Sequence, residues 1–119
     1  MNTRIDEAQE MLRTSAREFL AEKCPTKAVR EARAGATGFS CDLWNAMAGL
    51  GWQGLALPER CGGSSMSFLD LCLLIEELGR ACVPSPFVDS AAGCALLLAD
   101  AGREQDIPLL KAFAAADTV

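Results

Sequence analysis

The sequence contains no histidine and no tyrosine. Any general acid or base must therefore be Asp, Glu, Lys or Cys, and Ser/His or Cys/His nucleophile pairs are excluded. The six cysteines (24, 41, 61, 72, 82 and 94) are spaced ten or more positions apart and form no CxxC pair. Without histidine beside them they do not read as a zinc site, and no metal is expected. No apolar run is long enough and uncharged enough to cross a bilayer. The N-terminus, MNTRIDEAQE, has no apolar stretch after a basic start, and its acids argue against a mitochondrial presequence. The expectation is a cytoplasmic protein with reduced thiols. Positive charge is also in deficit, with 11 basic against 16 acidic residues and a net charge of -5. Nucleic acid is not an expected partner, and Lys23, Lys27, Arg30 and Arg33, interleaved with acids, read as a solvated helical face.

Apolar residues, by contrast, make up 50% of the 119 positions, enough for one domain around a single core. Residues 68 to 82 organise it. Phe68, Leu69, Leu71, Cys72, Leu73, Leu74, Ile75 and Leu78 cover most of a helical cylinder, which marks a helix buried on several sides. Ser67 can cap it at the amide of Asp70, with Met66 packing on Leu71 across the cap. Pro84 and Pro86 end it near Cys82.

The other segments supply its cover. Ile5, Ala8, Leu12, Ala16, Phe19 and Leu20 recur at helical spacing over residues 3 to 23, and Pro25 ends that helix. Residues 26 to 34 form a weaker helix. Ser40 caps the next, Cys41 to Leu50, with Phe39 poised against Trp44, Gly51 suited to the left-handed position after the helix and Trp52 folding back on Met47. Residues 53 to 58 are irregular or extended chain ahead of a Gly62-Gly63 turn. A helix from Phe87 to Ala101 presents Ala91, Ala92, Cys94, Ala95 and Ala99, suited to close approach of another helix or to an apolar ligand. Cys72 and Cys94, in apolar runs, read as small core residues. Gly102 ends the fourth helix, and a last one spans Glu104 to Ala115 with Leu109, Leu110 and Phe113 inward. Residues 117 to 119 look like the approach to a strand. The predicted fold class is all-α: an up-and-down or orthogonal bundle of about five to six helices around a buried central helix.

Catalytic signals are weak. The glycine run Cys61 to Ser65 lacks the GKS or GKT ending of a phosphate loop and reads as a turn. Glu76 and Glu77 point in different directions on a helix, and pairing with Arg80 is the expected role.

The residues LWNAMAGLGWQGLALPERCGG followed by FLDLCLLIEELGRA resemble the N-terminal helical domain of the flavin-dependent acyl-CoA dehydrogenases. The shared pattern is a helix ending in Leu50-Gly51, a turn with Pro58-Glu59 and Gly62-Gly63, and a long helix ending Glu76-Glu77-Leu78-Gly79-Arg80. The resemblance covers residues 1 to 119 as one such domain. Enzymes of that family take a proton from the α-carbon of an acyl thioester with a glutamate while the β-hydrogen passes as hydride to FAD. It implies that the glutamate and most FAD contacts belong to a central β-domain and a C-terminal helical domain lying beyond Val119, or to a partner subunit, in an oligomer acting on acyl-CoA. No residue of this chain is then catalytic or a primary cofactor ligand. Pro86, Phe87, Asp89, Ser90 and Gly93 align with the turn that lines the acyl pocket. The alternative is a helical interaction module that keeps the scaffold without the chemistry.

Overall fold

The computed structural model describes residues 4–118. Helix α1 runs Glu7–Lys23. Asp6, just ahead of it, accepts from the Gln9 amide at 2.8 Å while its own amide donates to Gln9 Oε1 at 3.0 Å. This reciprocal box satisfies two amides that a helix start leaves open, and it sets the start at Glu7 rather than nearer residue 3, which lies outside the described residues. Ala16 and Leu20 form the buried face, whereas Ala8, expected on it, is exposed. Cys24 closes α1 and Pro25 opens α2 (Thr26–Ala34), which buries none of its residues fully.

Helix α3 (Cys41–Gly49) follows the sequence signals closely. Ser40 Oγ accepts from the Leu43 amide at 3.2 Å, and Phe39 meets Trp44 edge-on with ring centroids 6.3 Å apart. At the other end Gly51 is left-handed at φ +78, its amide donates to the Ala48 carbonyl, and the Trp52 amide donates to the Met47 carbonyl at 3.2 Å. That pair of bonds is the Schellman ending. The irregular chain from Gln53 leads through a 3-10 turn at Glu59–Cys61 into α4 (Phe68–Arg80).

Ser67 Oγ accepts from the Asp70 amide at 3.1 Å, and Asp70 Oδ2 accepts from the Ser67 amide at 2.9 Å, so α4 begins with the same reciprocal box as α1. It ends at Arg80, two residues before the predicted limit, because Ala81 and Cys82 turn the chain away. Leu71, Leu74 and Leu78 enter a core shared with Ala16, Leu20, Trp44, Met47, Trp52 and Phe87. Leu73 and Glu77 bury a second side of α4, as the apolar run predicts, but Phe68 is 68% exposed and Cys72, read as a core residue, is exposed as well. The molecule measures 41 × 36 × 20 Å.

A π-helical turn, Val88–Cys94, continues directly into α5 (Ala95–Ala101), which ends at left-handed Gly102. A 3-10 turn at Glu104–Asp106 leads into α6 (Ile107–Ala114). Ala95 is fully buried against Leu57, Cys61, Leu110 and Phe113, so the small face of α5 admits α6 at close range. Cys94, predicted to be in the core, is exposed because the π winding rotates it outward. Leu109, predicted inward, is 44% exposed, since Leu110 and Phe113 already occupy the side of α6 that meets α5. Among the described residues every regular element is helical. Residues 117 and 118 are irregular, and Val119 lies outside the described residues.

Candidate functional site

The pairing of α1 with α4 fixes what the acidic residues can do. Gln9 Nε2 donates to Asp70 Oδ1 at 2.9 Å, Arg13 lies 3.9 Å from Glu76 and from Glu77, and Arg17 grips Glu77 with Nη2 at 2.7 Å and Nε at 3.2 Å. The contacts climb both helices in the same direction, so α1 and α4 run parallel. Glu77, 2% exposed, is held by the Arg17 fork rather than by Arg80, the partner expected from sequence; Arg80 acts on it only through its field. The cause is distance in the chain, because a partner 60 residues away leaves no local trace.

Hydrogen bonds from Arg17 hold the Glu77 carboxyl below its usual range against the opposing effect of burial. Burial pushes Asp70 upward, but the bonds from Gln9 and Ser67 outweigh it and leave that carboxyl lowered too. A general base works best with a pKa near the working pH. Neither carboxylate meets that condition. Asp106 is likewise spent, accepting from Arg103 at 2.7 and 3.1 Å.

The amides of the glycine turn are turned inward and form no anion cradle. Those of Cys61, Gly62, Gly63, Ser64 and Ser65 donate to the carbonyls of Pro58, Glu59, Pro58, Gly54 and Leu57 in turn. None points outward to a phosphate. The turn is held closed by Gly63, where a Cβ would lie 2.2 Å from the Leu57 carbonyl oxygen. Among the described residues no group of three or more Cys, Asp or Glu is placed to hold a metal, and no helix is long and apolar enough to cross a membrane.

The region around the five sequence candidates begins where α4 stops. The Cys82 amide donates to the Gly79 carbonyl and the Val83 amide to the Leu78 carbonyl, both at 3.0 Å, a second Schellman ending. Here the left-handed residue is Cys82, at φ +54, in a place that glycine usually takes. Val83 to Pro86 then cross to the π turn. A cavity of about 160 Å3 opens between the two arms, lined by Ile75, Leu78, Gly79, Cys82, Val83, Ser85, Phe87 and Val88.

Of the five candidates, Phe87 alone lines this cavity; its ring is 1% exposed and stands edge-on to Trp44 at 6.3 Å. Pro86 is half-buried and its carbonyl accepts the Ser90 amide at 2.9 Å. Asp89 and Gly93 are exposed. A Cβ on Gly93 would sit 3.2 Å from the Val88 carbonyl, so glycine fits the wide π winding there. Ser90 is buried, and its hydroxyl has no hydrogen-bond partner among the described residues. The other cavity residues went unnoticed in the sequence because Ile75, Leu78 and Gly79 read simply as helix; their nearness to the Pro84/Pro86 break was the available signal.

The model of the acyl-CoA dehydrogenase N-terminal domain matches residues 6–117. Acyl-CoA dehydrogenase FadE34 of Mycobacterium tuberculosis is 39% identical over 88 residues, which is 71% of this chain and 12% of that protein. Acyl-CoA dehydrogenase IpdE2 of the same organism is 34% identical over 96 residues, 80% of this chain and 30% of that protein. A solved variant of the Tcur3481-Tcur3483 steroid ACAD superposes with a TM-score of 0.85 at 28% identity, covering 94% of this chain and 31% of its own. The chain thus spans less than a third of each of these relatives. With a helical scaffold that follows the solved relative over nearly all its length, the chain belongs to the acyl-CoA dehydrogenase family and corresponds to its N-terminal domain.

Proposed function

We propose that this chain forms the N-terminal helical wall of an FAD-dependent oxidoreductase that removes the α and β hydrogens of acyl-CoA thioesters. One observation carries the reading: the fold matches a solved relative over 94% of the chain, while that match occupies only 31% of the relative. The chain is a scaffold in this reading and not a proton-transfer centre, which agrees with Glu77 and Asp106, the buried carboxylates among the described residues, both being held by arginines. The amides of the Cys61–Ser65 turn are all bonded within the fold and form no cradle for the FAD phosphates, and in this reading flavin is held by central and C-terminal domains, supplied by further chain or by a partner subunit in a cytoplasmic oligomer.

The acyl chain would enter beside Phe87, with Pro86, Asp89, Ser90 and Gly93 on the turn above it. Ser90 supports this, as a buried hydroxyl without a partner can be satisfied by a ligand. Reconstitution tests the reading. Mixed with the family's central and C-terminal domains, the chain should yield a yellow complex whose flavin is bleached by acyl-CoA, with a polycyclic acyl-CoA among the substrates because one solved relative is named a steroid enzyme. A stable complex that is colourless, or yellow but unbleached by any acyl-CoA, would favour the interaction module instead.

A further inference from the structure

We propose that Cys24 and Cys82 form a reversible disulfide that clamps the ends of α1 and α4 together. The seam between these parallel helices advances from Gln9 with Asp70, through Arg13 with Glu76, to Arg17 with Glu77. Seven residues beyond Arg17 and five beyond Glu77, in the same direction, come the two helix endings. Cys24 is the residue that closes α1, and Cys82 is the left-handed residue just after α4. Both thiols line one cavity, together with Leu20, Ala21, Arg17 and Arg80. Burial chiefly, and the neighbouring Cys82 next, push the Cys24 thiol above its ordinary value, which the second sulfur could not do from far away.

The accessibility of the two sulfurs sets the order of events. Cys82 is exposed and Cys24 is buried. With a peroxide as oxidant, the Cys82 thiolate attacks the O–O bond, taking one oxygen as a sulfenic acid while the other leaves as water. Cys24 then attacks the Cys82 sulfur, displacing the sulfenic oxygen as a second water. In sum, two thiols and one hydrogen peroxide give one disulfide and two waters, and a dithiol reductant reverses it. Cys24 and Cys82 lie at the ends of their helices rather than inside them, each tied back by its amide, Cys24 to the Leu20 carbonyl and Cys82 to the Gly79 carbonyl.

The bond would also constrain the candidate acyl site. Cys82 lines the cavity beside Phe87 as well as the one it shares with Cys24. Fixing it would hold the crossing from Val83 to Pro86. That consequence rests on the function proposed above, whereas the bond itself does not.

The test therefore reads the bond without any activity. The purified full chain is treated with hydrogen peroxide, alkylated, digested with trypsin and analysed by mass. The expected product is a monomer in which the peptide 24–27 is joined to the peptide 81–103. It should persist in Cys94→Ser, disappear in Cys82→Ser and be released by dithiothreitol. The oxidised wild-type chain should also melt roughly 10 °C higher, since the link closes a long loop. With no trapping reagent present, a Cys82 sulfenic acid that persists beside a free Cys24 thiol, a link through Cys94, or only intermolecular links would each overturn the proposal.

Discussion

Gln9 and Asp70 join two helix caps into one unit. Each is the third helical residue of its own capping box, Gln9 reaching back to the Asp6 amide and Asp70 to the Ser67 amide, and the two side chains are bonded to each other at 2.9 Å. The starts of α1 and α4 are therefore coupled. Ser67→Ala should cost about 1 kcal/mol as an ordinary cap loss. Gln9→Ala and Asp70→Ala should be non-additive by about 0.5 to 1 kcal/mol in a double-mutant cycle. Strict additivity in urea titrations would show that the bond between the caps carries no energy.

Acid should loosen the α1–α4 seam before it affects anything else. Asp70 and Glu77 are both held below their ordinary range, so the folded chain binds their protons less readily than the unfolded chain does. Their contribution is complete above the unfolded values of about 4 and is lost as pH falls through the lower folded values. Melting temperature should then drop steeply below about pH 4. In Asp70→Asn with Glu77→Gln the slope should flatten, at a lower melting temperature near neutrality. An unchanged slope would mean that other carboxylates govern acid unfolding.

Core and surface leucines should separate cleanly. Leu74 is wholly buried in α4, so Leu74→Ala should cost about 2 to 5 kcal/mol. Leu74→Asp, burying a charge without a partner, should prevent folding. Leu97, 73% exposed, and Glu10, in a surface pair with Arg13, should each tolerate alanine within about 0.5 kcal/mol. Chemical denaturation followed by circular dichroism measures all four.

Two glycines should respond with opposite sign. At Gly63 any Cβ meets the Leu57 carbonyl at 2.2 Å and the Gly54 carbonyl at 2.6 Å, so Gly63→Ala must open the turn that leads into α4. A loss of about 2 kcal/mol or more is expected. Gly79 sits inside α4 with nothing within 4 Å of a new Cβ, and alanine there should stabilise by about 0.5 to 1 kcal/mol. Equal melting points for the two variants would contradict the geometry of the turn.

What the sequence disclosed was what neighbours in the chain decide. The Ser40 and Ser67 caps, the Phe39–Trp44 contact and the Gly51–Trp52 ending all lie within five residues of their partners, and each stands as read. The exposure of Phe68 and Cys72 was not legible, because the polar stripe of Asp70, Glu76, Glu77 and Arg80 on α4 is narrow and includes Glu77, which is buried, and exposed Leu109 reads like its inward neighbour Leu110. The Arg17–Glu77 fork and the cavity shared by Cys24 and Cys82 depend on which helices become neighbours, and the π turn has no marker in the local sequence. The five candidates came from the family resemblance and not from local chemistry, and of them packing brings only Phe87 to the cavity beside the end of α4.

The parallel arrangement of α1 and α4 has a cost in time. Parallel helices cannot be joined by a tight hairpin, and here the whole stretch from Cys24 to Ser67 intervenes. Closing so long a loop precedes any gain from the seam, which raises contact order and slows folding. During synthesis the apolar face of α1, with Leu12, Phe19 and Leu20, emerges first and waits for α4 to be made. Helix α1 is thus secured only once α4 has been made, and its exposed interval lengthens with every residue that separates the two.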